Sequence, residues 1–186
     1  MISCYYLGME IIRIPTEREG VLLKTATELD DKYAVHAARN FYHPLKPDQV
    51  GAPDHHAYQA LRTIRREADP NELMMGIWDT KGFQNIAFIG FVSLKPYPKL
   101  ENAAEVGCEI NRDYRHRGYA TIAVRGIMKY GRENLGYEDI VARIISKNTA
   151  CVNLFEGLGF RLDHEQRGAS YYVSSPDIYK PEAIAV

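Results

Sequence analysis

The pattern of apolar and polar positions predicts a chain that alternates strands with helices. Residues 2–14 are apolar without a clear period, and the β-type run Val21–Thr25 follows them. A pair of helices is then expected at about residues 27–69, the first fading by Asn40 and the second with apolar residues at helical spacing over residues 57–68. The first helix begins with the T-x-x-E spacing of a capping box, and the second begins with an aspartate. We therefore expect a strand followed by two helices in the first part of the chain.

Three strands are expected in the middle of the chain. The runs 73–78 and 86–94 are rich in β-forming residues, and residues 79–82 between them have the composition of a hairpin turn. These two strands should therefore pair antiparallel. From Ala103 to Ile110 apolar and polar residues alternate, which places two glutamates on one face of the third strand.

A basic turn and a long amphipathic helix follow this third strand. Gly136 should end the helix, and the apolar run 139–145 should form the next strand. A strand, helix and strand in succession over residues 103–145 imply a parallel pair with a right-handed crossover. The rest of the sheet should be largely antiparallel.

The last elements complete one mixed α/β (α+β) domain. Asn148 should cap a short helix that ends at residues 157–159, and closing strands are expected at 160–162 and 170–173. The resulting order is β-α-α-β-β-β-α-β-α-β-β. The 186 residues suit a single domain, and 46% hydrophobic with 25% charged residues suit a globular protein with a packed core.

Charge and cysteine content exclude several classes of function. The formal net charge is −1, so no global field draws the protein to nucleic acid or to a membrane surface. No apolar run approaches the length of a membrane span, and the N-terminus lacks a signal-peptide pattern, so we expect a cytoplasmic protein. Three cysteines without a C-x-x-C pair argue against a disulfide framework and against a metal site.

The most informative stretch is residues 115–120, R-H-R-G-Y-A, at the first turn of the long helix. A helix start leaves about four backbone N–H groups unpaired and carries about half a positive charge, which suits an anion such as a diphosphate. Gly118 lets a ligand approach the backbone, and Arg112, Arg115 and Arg117 concentrate cations there. Taken alone, these residues also fit a solvated basic helix start.

Three blocks of the chain resemble the GCN5-related N-acetyltransferase (GNAT) superfamily, in the branch that includes the ribosomal-protein alanine N-acetyltransferases. Residues 104–107, A-E-V-G, resemble that branch's A-E-I-G strand, and residues 115–120 match the superfamily's (Q/R)-x-x-G-x-(G/A) acetyl-CoA signature. Residues 148–160 resemble its later N-x-x-S…L-x-E-x-L-G-F block. The blocks stand in family order and spacing, and Thr16-Glu17-Arg18 resembles the branch's opening.

The resemblance implies the GNAT fold, with acetyl-CoA bound where two parallel strands splay apart near Ile110 and Val141. The pantetheine arm would pair with the strand backbone at residues 109–111, the amides of residues 117–120 would hold the diphosphate, and Asn148 would hydrogen-bond the arm. The cofactor-binding residues implied in this way are Ile110, Asn111, Arg115, His116, Arg117, Gly118, Tyr119, Ala120, Thr121, Asn148 and Phe155.

The superfamily usually transfers the acetyl group directly to an amine, and the sequence has no visible Ser-His-Asp or Cys-His pairing that would favour a covalent route. Direct attack needs a neutral amine and therefore benefits from a base. Glu105 is the first candidate, since it stands where several relatives have their catalytic glutamate, and Glu109 on the same strand face is the second. The alternative for both is a surface carboxylate on a half-exposed strand.

Three positions depart from the family pattern. Phe155 stands where many relatives have a tyrosine that protonates the departing thiolate. Cys151 stands where this branch often has a serine, and it is either a weak donor or a small core thiol. Cys108 replaces a common aromatic residue, which changes the expected shape of the acetyl pocket.

In this fold the helices of residues 27–69 would line the acceptor site, beside an acetyl-CoA core at about 103–162 and a tail at 176–186. Four histidines in that region either contact the acceptor or are solvated: His36, His43, His55 and His56. The expected function is acetyl transfer to a protein N-terminus or a small amine through a ternary complex, by a monomer or homodimer. The alternatives are an acetyl-CoA sensor without turnover and a general nucleotide-phosphate binder.

Overall fold

The computed structural model describes residues 13–25, 72–82, 85–110, 112–145 and 148–175. The described strands are β1 (Arg13–Pro15), β2 (Val21–Thr25), β3 (Leu73–Gly82), β4 (Asn85–Pro96), β5 (Ala103–Ile110), β6 (Asp139–Ile145), β7 (Arg161–Gln166) and β8 (Ala169–Ser174). The described helices are α1 (Tyr119–Leu135) and α2 (Thr149–Gly157), with a 3-10 turn at Arg112–Tyr114 before α1. The predictions for the helices of residues 27–69 with their histidines, for Cys4, for Asn111 and for the tail at 176–186 lie outside the described residues.

The described strands form one sheet in the order β1-β2-β3-β4-β5-β6-β8-β7. β5 and β6 run parallel, and the other neighbouring pairs are antiparallel. The chain between β5 and β6 forms α1, which is the crossover that a parallel pair requires. The mixed, mostly antiparallel sheet and its parallel pair are therefore confirmed.

β5 and β6 separate soon after they begin. Their pairing is confined to residues 103–105 of β5 and residues 139–141 of β6. Beyond that point β5 stays paired with β4 as far as Ile110, and β6 stays paired with β8 as far as Ile145. The sheet therefore has an opening between two strands that are each held on their outer side, as the splayed pair of the sequence analysis requires.

The prediction of a turn at residues 79–82 is wrong. β3 continues through Gly82, which pairs with Asn85 of β4. Asp79 lies opposite Val21 of β2 and Ala87 of β4, so strands on both sides hold this segment extended. The position between two strands outweighs the turn preference of the residues themselves.

The closing strands are also longer than expected. β7 runs to Gln166, and all six of its residues are exposed, so no hydrophobic alternation marks the strand in the sequence. The antiparallel pairing with β8 stabilises β7 as a strand. β4 similarly extends to Pro96, which the sequence analysis assigned to a loop.

The main core lies on one face of the sheet and includes side chains from both described helices. Ala104, Val106 and Ile110 of β5 point to this face, where Ile127 of α1 and Phe155 of α2 belong to the same buried cluster. Because side chains alternate along a strand, Glu105 and Glu109 lie on the opposite face of β5. The expectation that the two glutamates share a face is confirmed.

A glycine permits the closest backbone contact in this part of the sheet. Gly90 of β4 pairs with Ile110 of β5, and a Cβ atom at Gly90 would lie 2.1 Å from the carbonyl oxygen of Glu109. A backbone oxygen cannot move aside as a flexible side chain can, so any larger residue would force the two strands apart.

We expect Gly90→Ala to lower the free energy of unfolding by about 2 kcal/mol, through this overpacking. Gly157→Ala is the matched control, because a Cβ atom there meets nothing within 4 Å, and it should change stability by less than about 1 kcal/mol. Urea denaturation followed by circular dichroism measures both changes. A Gly90→Ala protein as stable as the wild type would contradict the close approach of β4 and β5.

Candidate active site

The start of α1 has backbone N–H groups without a side-chain cap. Gly118 occupies the N-cap position with φ 80° and ψ 0°, and glycine has no side chain to cap a helix. This left-handed conformation strains other residues, so Gly118 suits the turn. A Cβ atom added at Gly118 would meet nothing within 4 Å, which shows that the space in front of the turn is open. An anion can approach these N–H groups directly.

Seven of the residues expected to bind the cofactor, numbers 115–121, lie at or beside this helix start. Arg115, His116 and Arg117 are exposed beside the turn, and His116 also has a left-handed conformation with φ 59°. Ala120 and Thr121 are partly buried in the first turn of α1. The six residues of the R-H-R-G-Y-A stretch therefore lie together at one helix end, because they are consecutive in the sequence.

Tyr119 differs from its neighbours because its side chain is buried. Its hydroxyl donates a hydrogen bond to Asp79 Oδ2 at 2.5 Å. Burial raises the pKa of the Tyr119 hydroxyl, the bond to Asp79 raises it further, and the charges of Arg18 and Arg117 act in the opposite direction. The backbone N–H of Tyr119 thus belongs to the helix start, whereas its ring fixes the turn to β3.

The opening between β5 and β6 leads away from this helix start. No strand in the described ranges pairs with the inner edge of β5 beyond Glu105, so backbone groups there are open to a ligand. The carbonyl of Ile110 accepts a hydrogen bond from Arg115 Nε at 2.9 Å. A pantetheine arm that pairs at Ile110 would therefore share this carbonyl, which has a second lone pair, with Arg115.

Glu105 lies at the mouth of this opening, on the face opposite the main core. Its side chain is 21% exposed and forms an ion pair with Lys95 Nζ at 3.2 Å. The two residues are directly opposite each other in the ladder of β4 and β5. Tyr97 is buried close by, and burial raises the pKa of its hydroxyl, with the charges of Tyr171 and Glu105 acting in the same direction.

Glu109 stands in a different environment. Its side chain reaches the surface, yet the surrounding protein removes enough water to raise the pKa of its carboxyl, while the charge of Arg115 lowers it. It lies beside the arginine-rich turn, whereas Glu105 is paired with a lysine at the point where the strands separate. The two candidate bases thus face different parts of the opening.

α2 contributes Asn148 and two residues that the sequence analysis singled out. The side chain of Asn148 caps α2 by accepting a hydrogen bond from the Cys151 N–H at 3.2 Å, which confirms the predicted cap. Its oxygen makes this bond, and its amide nitrogen retains two hydrogens that can be donated to a ligand. Phe155 is 5% exposed and packs edge-to-face on Phe160, with ring centroids 5.0 Å apart.

Cys108 and Cys151 are free thiols on the core side of the opening. Burial raises the pKa of Cys108 to about 12, and the nearby thiol of Cys151 acts in the same direction. Burial also raises the pKa of Cys151, although Arg115 and the hydrogen bond to Asn148 oppose it. Neither thiol therefore has the lowered pKa of a nucleophilic cysteine.

Sequence reasoning missed several residues of this region. Lys95 pairs with Glu105, and Tyr97 is buried beside it, but their position depends on the register between β4 and β5, which no local pattern reveals. Arg18, about 100 positions earlier in the sequence, contacts Tyr119. The T-E-R segment that contains it resembles the family's opening, but that resemblance indicated no role for Arg18. The register and the distant contact both emerge only in the folded chain.

Comparison with known proteins identifies the family. A family model described as an acetyltransferase (GNAT) domain matches residues 21–161. The chain belongs to the GNAT acetyltransferase family. That match includes β2 to β6, α1, α2 and the start of β7, and therefore the helix start, the opening and both glutamates.

Solved structures with the same fold include acetyltransferases that are named for different acceptors, ribosomal proteins and spermidine. A chain assigned as a ribosomal-protein-serine acetyltransferase of Vibrio cholerae is 17% identical, with a TM-score of 0.68 over 89% of this chain and 98% of that one. The ribosomal-protein-S5-alanine acetyltransferase of Vibrio fischeri is 16% identical, with a TM-score of 0.65 over 91% and 100%. Spermidine N-acetyltransferase of Vibrio cholerae, solved with CoA and spermine, is 16% identical, with a TM-score of 0.61 over 87% and 98%.

Within the described residues, no three histidine, cysteine or acidic side chains come together as a group that could hold a metal ion. Of the helices described, none has the length and apolar composition needed to cross a bilayer.

Burial of Cys108 predicts slow alkylation. In the wild-type protein, with each cysteine followed in its own peptide, the alkylation rate of Cys108 at pH 8 should be about a thousandfold below that of the same chain unfolded in urea, since each pKa unit changes the thiolate fraction tenfold. The rate should keep rising above pH 10, because the pKa of Cys108 is about 12. Iodoacetamide labelling with mass spectrometry measures it. A rate that levels off near pH 9 would show an ordinary thiol.

Proposed function

We propose that this protein transfers the acetyl group of acetyl-CoA directly to a primary amine, on a protein N-terminus or on a small molecule. The observation that carries the proposal is the separation of β5 from β6 beside the uncapped start of α1. These two features supply what a CoA thioester needs: backbone N–H groups for its diphosphate, and an open strand edge for its amide-containing arm.

The residues around the helix start have the chemistry to hold the diphosphate. The N–H groups of the first turn and the helix dipole favour a negative group, and the arginine guanidinium forks match phosphate oxygens. Asn148, at the start of α2, is able to donate to a carbonyl of the pantetheine arm. The arm would then direct the thioester along the inner edge of β5 toward Glu105.

Glu105 is the proposed base for the acceptor amine. In direct transfer the amine nitrogen forms a bond to the thioester carbon, the C–S bond breaks, and the amine loses one proton. That proton would pass to the Glu105 carboxylate, directly or through a water. Lys95 contacts Oε1 of Glu105, so Oε2 is the oxygen that we expect to take the proton.

The departing sulfur needs less assistance than the amine. A thiol with a pKa near 8.5 is already a tolerable leaving group, so a strong acid is not essential. This agrees with a phenylalanine at position 155, where many relatives have a tyrosine, and with its burial against Phe160. Cys151, half-buried near the start of α2, is a weak donor on that helix.

The first test concerns the helix start. Gly118→Ala places a methyl group in the proposed diphosphate site and strains a left-handed residue, so the Kd for CoA should rise at least about tenfold. Gly168→Ala is the matched control, because Gly168 has φ 75° and open space around its Cβ position in the β7–β8 turn. Isothermal titration calorimetry compares the two. Equal CoA affinity in both variants would argue against diphosphate binding at Gly118.

The second test concerns the base. Glu105→Gln should lower kcat/KM by about 10²–10³-fold and leave the Kd for CoA unchanged, because the amide cannot accept the proton. Glu101→Gln, in the exposed connection between β4 and β5, is the control. Thiol release from acetyl-CoA is measured with a panel of ribosomal-protein N-terminal peptides and polyamines. An unchanged rate in Glu105→Gln would remove Glu105 from this role.

The wild-type protein in the same assay separates the remaining alternatives. Thiol release that depends on an added amine is expected of the enzyme. CoA binding without such release across the whole panel would instead favour a sensor or regulatory module. ATP that competes with CoA at similar concentration would favour a general nucleotide-phosphate binder.

A further inference from the structure

Arg18, in the short connection between β1 and β2, reaches the turn that begins α1. Its Nη1 atom donates a hydrogen bond to the carbonyl oxygen of Arg117 at 2.9 Å, across 99 positions of sequence. Its guanidinium carbon also lies 4.8 Å from the centroid of the Tyr119 ring. One side chain therefore contacts the residues on both sides of Gly118.

The Tyr119 ring is held from three directions. Arg18 covers its face, Asp79 accepts its hydroxyl hydrogen, and Tyr114 meets it edge-to-face at a centroid distance of 6.2 Å and an angle of 79°. Arg117 in turn lies 5.7 Å from the centroid of the Tyr114 ring.

The connection that carries Arg18 is itself fixed to the fold. The Thr16 hydroxyl lies within hydrogen-bond distance of the carbonyl oxygens of Arg18 and Val21, at 3.1 and 2.8 Å. Glu17 forms an ion pair with Arg125 of α1. The three residues of the T-E-R segment thus bind the connection, α1 and the turn before α1 to one another.

The bond to Arg117 determines where the next N–H group points. In a trans peptide the C=O and the following N–H point in opposite directions. When the Arg117 carbonyl is turned toward Arg18, the Gly118 N–H points away from Arg18. Because glycine has more backbone freedom than any other residue, this peptide plane needs an external contact to stay in one orientation.

We propose that Arg18 is a positioning residue that orients the backbone N–H groups at Gly118 for the diphosphate of the acetyl donor. The inference rests on the proposed function. Arg18 acts through the Arg117 carbonyl and the Tyr119 ring, and this gives the T-E-R segment a role in donor binding. The effect of losing it should therefore be confined to donors that carry a diphosphate.

The test compares donors with and without that group. Arg18→Ala should weaken CoA binding about 10- to 30-fold, as expected for a lost hydrogen bond from a charged donor together with a cation–π contact. With S-acetylpantetheine, which lacks the diphosphate, kcat/KM should stay within about twofold of the wild type. Arg161→Ala, on the exposed edge strand β7, is the matched control and should change neither value.

Two conservative variants keep the test decisive if Arg18→Ala does not fold. Arg18→Lys retains a cation that can donate to the Arg117 carbonyl, so its CoA affinity should fall below that of the wild type by less than about tenfold. Tyr119→Phe removes only the hydroxyl bonded to Asp79, and it should weaken CoA binding about two- to fivefold without affecting S-acetylpantetheine. Thermal denaturation of each variant separates positioning from global stability.

The outcomes distinguish this inference from the proposed function. Wild-type protein that binds CoA, with a folded Arg18 variant that binds it equally well, would overturn the inference and leave the function standing. Equal losses with both donors would also overturn it, since they indicate a general structural role. Wild-type protein that fails to bind CoA would overturn the proposed function, and the role of Arg18 with it.

Discussion

The separation of β5 from β6 is the constraint on which the rest of the site depends. Parallel neighbours normally pair along their whole length. A backbone group buried without a partner loses its hydrogen bond to water on folding and gains none in return, which costs stability. Here the loss is limited, since β4 holds β5 and β8 holds β6 on their outer sides. The opening is therefore compatible with a stable sheet, and its backbone groups are available to a ligand of similar chemistry.

The opening is useful only if the helix start faces it, and the packing of α1 fixes that direction. Buried residues along α1, among them Ile122, Val124 and Ile127, lie against the core face of the sheet. Arg115 ties the connection between β5 and α1 back to the end of β5 through the Ile110 carbonyl. The helix axis and its first turn are thus set by the same sheet that contains the opening, so the two halves of the site form together.

The sequence predicted the elements whose signals are local. β5 and β6 were predicted at their observed bounds, because alternation marks the first and a continuous apolar run marks the second. Gly136 ends α1 in a left-handed conformation, and Asn148 caps α2, as glycine and asparagine at these positions predict. The strand at residues 79–82 and the extension of β7 beyond residue 162 were missed, because pairing with neighbouring strands stabilises them and their own composition does not favour a strand.

The same distinction applies to the site. The R-H-R-G-Y-A turn is contiguous, so its chemistry and its family resemblance were readable from the sequence. The partners that modify it are distant: Lys95 meets Glu105 through a strand register, and Arg18 meets Arg117 through the arrangement of the whole sheet. Such contacts depend on how strands are ordered, which is the part of a fold that local patterns determine least.

The need for Glu105 depends on which amine enters the site. An acceptor with a lysine-like pKa near 10.4 costs about 4–5 kcal/mol to deprotonate at pH 7, whereas a protein N-terminus with a pKa near 8 costs about 1 kcal/mol. A base therefore matters far more for a polyamine than for an N-terminal peptide. A carboxylate already paired with Lys95 at 3.2 Å has less capacity to attract a cationic amine than an unpaired one. Under the proposed function, this electrostatic argument favours an acceptor whose amine is partly neutral at physiological pH, as a protein N-terminus is.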